Sequence, residues 1–174
     1  MLAAYAVPAA AAWTPAGLLA GLVPAGRAVL ALIAGYAAYY GLIEATGRPG
    51  LPPPGRSWQV PSRWVDRAPG WRRILIWGSV LGPGFATRNP YAGFGLLPLV
   101  VAAAGNPRLG VALAALLGFL HGAGRAAALL RDARHAADAD YLLSVMAAIR
   151  WRTVDGFALL LVAGAAAATM IVRR

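Results

Sequence analysis

The chain has no cysteine and no lysine, and only six acidic residues among 174. Each shortage closes off some chemistry. Without cysteine there is no disulfide, no thiolate metal site and no thiol relay, which excludes thiol–disulfide electron transfer. The two histidines, His121 and His135, do not share a metal-ligand spacing, so neither a metal site nor a cofactor is expected. No paired catalytic carboxylates and no nucleophile–base set stand out. Gly82-Pro83-Gly84 lacks the lysine of a phosphate loop. Little is left from which to build an enzyme.

What is present is apolar. The chain is 60% hydrophobic and 13% charged, whereas a soluble domain is about 45–50% apolar and about 25% charged. The excess falls in long runs, which read as membrane spans at 2–23, 28–45, 74–104, 109–130 and 156–172. The expected fold is one all-α integral membrane domain over 1–174. It has about five transmembrane helices, one of them broken near mid-membrane, and an interfacial amphipathic helix. The first run is read as a retained span, since no basic residue precedes Arg27.

All sixteen basic residues are arginine, and the formal net charge is +10. Ten of them collect in two stretches between spans, 46–73 and 131–152. By the positive-inside rule both are cytoplasmic, which makes anionic lipid headgroups the expected partner rather than nucleic acid. An even number of spans then separates them, and the N-terminus is cytoplasmic. Arginine without lysine, among abundant alanine and glycine, suggests a bacterial plasma membrane. In the first basic stretch Trp58, Trp64 and Trp71 alternate with Arg63, Arg72 and Arg73, a pattern for lying on headgroups or docking a partner. In the second, Tyr141, Leu142, Val145, Met146 and Ile149 recur at helical spacing, the pattern expected of the interfacial helix.

The segment 74–104 is the most informative. As a straight helix its 31 residues would measure about 46 Å against a hydrocarbon core of about 30 Å. It therefore tilts strongly, forms two half-helices, or re-enters. Pro83, Gly84 and Pro90 mark the break, and Thr87, Arg88 and Asn89 lie within it. An intramembrane arginine is a candidate functional site. Free amides near Pro90 would favour an anion or a polar substrate. The alternative is a simple bend, with Arg88 snorkelling to the interface. Later in the chain Gly118, His121, Gly122 and Arg125 share a helical face. The glycines allow close helix packing, while His121 is read as a proton carrier or a packing residue. Thr87, Arg88, Asn89, His121 and Arg125 are the candidate pathway residues. Glu44 and Asp155, at span ends, are expected to pair with arginines.

Three runs together, Gln59-Val60-Pro61-Ser62-Arg63-Trp64, Trp77 to Thr87 through Gly82-Pro83-Gly84-Phe85, and Gly118 to Arg125, resemble the second half of small bacterial membrane proteins related to the CcdA/DsbD transmembrane electron carriers, of the LysE-type transporter superfamily. The resemblance covers about Gln59 to Leu130. It implies two inverted three-helix repeats, each with a broken helix. The chain departs from that pattern in having no cysteine in the broken helix and one span fewer, so the resemblance implies fold more than activity. The leading expectation is a non-catalytic accessory or scaffold subunit of a larger membrane complex, bound to other membrane subunits or to its own copies. The alternative is a small transporter of an anion or polar solute, with its pathway at the break.

Overall fold

In the computed structural model the described residues are 1–53, 62–66, 68–85, 91–135 and 141–172. They are all helical or irregular, without strands. The helices are α1 (Leu2–Gly21), α2 (Arg27–Thr46), α3 (Ser62–Val65, a single turn), α4 (Gly70–Leu81), α5 (Gly93–Ala102), α6 (Pro107–His135) and α7 (Tyr141–Val172). Four of them, α1, α2, α6 and α7, contain segments long and apolar enough to cross a membrane. Their outward side chains suit lipid: Leu19, Leu32, Leu116, Phe157 and Leu161 are all exposed.

The four long helices form two pairs. In the first, α1 runs against α6 with small residues at every close approach: Gly17 on Gly110 and Ala114, Gly21 on Pro107, Gly118 on Ala9 and Trp13, and Gly122 on Tyr5. Small side chains let backbones approach where there is no hydrophobic drive between helices in lipid. In the second pair, α2 runs against α7, Gly41 meeting Gly156 and Leu160, and Gly156 meeting Ala45. Both pairs are antiparallel.

Among the described residues α1 makes no contact with α2, and α6 none with α7. The pairs are joined by α5, the one helix that touches all four long ones. Its sequence, GFGLLPLVVA, is apolar on every side, as a helix surrounded by others must be. Ala92, Leu96 and Ala102 pack with Val29, Ile33, Ala37, Leu159 and Ala163 of the α2–α7 pair. Val101 packs with Trp13 and Ala114 of the α1–α6 pair.

Two short helices stand in the segment expected to tilt, to form two half-helices or to re-enter. Neither α4, with 12 residues, nor α5, with 10, is long enough to cross alone. Gly82 lies against Tyr5, near the start of α1, and Gly105 lies against Ala25, just beyond its end. Only the last turns of α4 reach the bundle, through Gly78 and Gly82; Trp71, Ile74, Leu75 and Trp77 are exposed. This helix has the strongest apolar–polar sidedness of any in the chain.

A second difference concerns the basic connector. The expected interfacial helix is not a separate element: residues 131–135 extend α6, and 141–152 are the first turns of α7. Helix continues because no glycine or proline stops it between Tyr141 and Arg152.

Candidate functional site at the helix break

The end of α4 presents carbonyls and the start of α5 presents amides. In a low-dielectric bundle each must find a partner. The α1–α6 pair serves the carbonyl side. The Arg125 guanidinium donates to Leu81 O at 2.7 Å, and the Trp13 Nε1–H donates to Pro83 O at 2.9 Å. The α2–α7 pair serves the amide side. Ala92 N–H donates to Glu44 Oε1 at 3.0 Å, and Gly93 N–H donates to Asp155 Oδ2 at 2.9 Å. Tyr36 on α2 adds a hydroxyl bond to Ala92 O at 2.8 Å. Cation at the carbonyl end and carboxylates at the amide end match the partial charges of the two helix termini.

The chain conformation at the break depends on Gly84. Its φ of +78° is one that side chains rarely adopt, and a Cβ there would sit 2.7 Å from both His121 Nε2 and the Phe94 ring. Around it the rings form a cluster. Trp13 lies 4.6 Å from Phe85 and 5.6 Å edge-on to Phe94, and Phe94 lies 4.7 Å from His121. His121 Nε2 is buried without a hydrogen-bond partner.

Because α6 and α7 do not touch, a cleft of about 370 Å³ opens between them beside α5. Tyr91, Phe94, His121, Asp155 and Val162 are among its walls. A recess of about 400 Å³ continues from Tyr91 and Asp155 to Trp151. On the other side of the carboxylates lies a cavity of about 810 Å³, lined by Glu44, Tyr40, Arg48, Arg152 and the 47–53 loop. Arg48 and Arg152 in one cavity place the ends of the two basic stretches on one side of the bundle.

The candidate residues distribute as follows. His121, Arg125, Pro83 and Gly84 come together at the break. Gly118 and Gly122 face α1, inside the chain. Thr87, Arg88, Asn89 and Pro90, and also Trp58, lie outside the described residues. Arg63, Trp64, Trp71 and Arg72 are exposed, with the Arg72 guanidinium 5.2 Å from the Trp71 ring. Arg73 is tied into its own turn, donating to Ala68 O and Asp66 O at 2.8 and 3.0 Å.

Glu44 and Asp155 were expected to pair with arginines; each uses one carboxylate oxygen to cap α5, and Arg152 lines the same cavity as Glu44. One reading changes. The free amides expected to welcome an external anion are, at Ala92 and Gly93, already satisfied by the chain's own acids. Sequence reasoning passed over Glu44, Asp155, Trp13, Tyr36 and Phe94 as site residues. One signal was available: two isolated acids at span ends, in a chain that also breaks a helix and so needs anions at an amide terminus.

Arg125→Leu removes the donor from Leu81 O and leaves that carbonyl unmet. It is expected to cost about 1–3 kcal/mol, read as a lower unfolding temperature in detergent, with Arg125→Lys closer to wild type. No change in either variant would mean that water serves the carbonyl.

Comparison of the chain with protein-family models, curated proteins and solved structures found no match.

Proposed function

We propose that this protein is a small multi-pass membrane transporter whose polar solute passes through the cleft beside the helix break. The observation that carries the reading is the cleft itself. Tyr91, His121 and Asp155 supply polar groups along an otherwise apolar wall, and the amide end of α5 lies next to it. Discontinuous helices held between repeats are a usual setting for transport sites. In this reading the 82–105 segment is a fifth crossing, the basic ends and the N-terminus face the cytoplasm of a bacterium, and the fold is that of a shortened, cysteine-free CcdA-like protein.

The test is uptake into sealed vesicles carrying the purified protein, using labelled amino acids, amines and small carboxylates under imposed pH and voltage gradients. Wild type is expected to take up at least one solute class above empty vesicles. Ala158→Trp, which fills the cleft, is expected to abolish that uptake while leaving elution on size exclusion unchanged. Uptake by neither protein would count against transport.

A second reading is an accessory subunit of a larger membrane complex. It is favoured by the exposed Arg63 and Trp64 of α3 and the exposed Trp71 and Arg72 of α4, a helix that the bundle leaves largely uncovered. Stoichiometric recovery of unrelated membrane subunits after mild-detergent purification, together with no uptake, would select it.

A further inference from the structure

Glu44 and Asp155 stand where two cavities meet. Glu44 lines the basic cavity with Arg48 and Arg152, and Asp155 lines the cleft with His121 and Tyr91. Each acid uses one oxygen to cap α5. The other Glu44 oxygen, Oε2, is buried with no hydrogen-bond partner among the described residues, on a residue that is 3% exposed. Asp155 is the carboxyl group beside it. The second Asp155 oxygen, Oδ1, fills the place where a side chain on residue 93 would start, so Gly93 is what admits this acid.

Two adjacent carboxylates in an apolar bundle repel each other as well as losing hydration, and an unmet oxygen beside them calls for a positive partner. A hard metal ion is a poor fit. It takes six or more oxygen ligands or keeps its waters. Among the described residues no three His, Cys, Asp or Glu side chains gather. The amide end of α5 also carries positive partial charge. A proton asks for far less. It converts one carboxylate into a hydroxyl donor and leaves one negative charge for the α5 amides.

We propose that Glu44 and Asp155 together bind one exchangeable proton, taken up from the basic cavity at Glu44 and given up to the cleft at Asp155. Uptake forms an O–H bond on Glu44 as a hydronium ion in the cavity becomes water. Transfer breaks that bond and forms one on Asp155. Release passes the proton to water in the cleft. Among the described residues, the other titratable and charged groups facing the pair are Tyr36 and Tyr40 from α2, Arg48 just beyond it, Tyr91 ahead of α5, His121 from α6 and Arg152 from α7. The use of this site as a coupling device rests on the transport reading; the binding itself does not.

Infrared spectroscopy of the protein in phosphatidylcholine vesicles, titrated over pH in H2O and D2O, reads the site directly. Wild type is expected to show a protonated-carboxyl band at neutral pH that shifts in D2O and is lost in both Glu44→Gln and Asp155→Asn. The amide oxygen of either variant still accepts the α5 N–H, so the fold is expected to survive. If a variant fails to fold, the wild-type band and its D2O shift decide alone. Absence of the band at neutral pH, its persistence in both folded variants, or its loss on adding sodium at fixed pH would each overturn the proposal. The band with no solute uptake would leave the proton site standing and remove the transport reading.

Discussion

Trp13→Ala is expected to be among the most damaging substitutions in the chain. The indole is 1% exposed, bonds Pro83 O, and lies against Phe85 and Phe94. Truncation leaves a cavity at the junction of α1, α5 and α6 and an unmet carbonyl at the break. Removing a buried tryptophan costs about 3–5 kcal/mol. For a chain of this length that is roughly a 6–20 °C fall in unfolding temperature. Trp13→Phe separates the two contributions: it keeps most of the ring packing and loses the Nε1–H bond, for about 1–2 kcal/mol. Thermal unfolding in one detergent, with all three proteins side by side, checks the ranking. An alanine variant as stable as the phenylalanine variant would mean that the ring cluster does not hold the break.

Gly122→Leu is expected to separate α1 from α6. A Cβ at that position would sit 2.5 Å from Tyr5 O and 2.8 Å from Ala9 Cβ. One of the contacts is backbone, so relief requires moving a helix rather than a side chain. Overpacking of this severity belongs with the largest single-site losses, about 4 kcal/mol or more. The consequence reaches beyond the helix pair. Moving α6 away from Tyr5 also moves Arg125, which holds Leu81 O, and His121, which packs against Phe94. Gly124, two residues on, is the control: a Cβ there meets nothing within 4 Å. Gly124→Ala is expected to be neutral or to stabilise by about 0.5–1 kcal/mol. Monodispersity on size exclusion after graded heating distinguishes the two. Equal behaviour of both variants would show that the α1–α6 approach tolerates a branched side chain.

The four long helices were legible because hydropathy is local: Leu2 to Val23, Ala28 to Ala45, Leu109 to Leu130 and Gly156 to Val172 each carry their own signal. The end of α4 at Leu81 was also legible, since the Gly82-Pro83-Gly84 that follows acts on its own backbone. The separate interfacial helix was misplaced for the same reason. Apolar spacing over Tyr141–Ile149 indicates a helix, but not that the helix continues into the next span. Local pattern cannot tell one long helix from two that share an axis.

By itself the sequence determined the helical class, the apolar exterior, the absence of thiol chemistry, and a helix end at Gly82-Pro83-Gly84 whose backbone groups would need partners. Which groups meet that need was decided by the tertiary structure alone. Pro83 is reached by Trp13 from 70 residues away, Ala92 by Glu44 from 48, and Gly93 by Asp155 from 62. Nothing near any of these residues in the chain marks its partner. Each pairing exists because glycines let α1 approach α6 and α2 approach α7, leaving one gap between the pairs. Placed in that gap, α5 must satisfy its amides with whatever charged side chains the two neighbouring helices present.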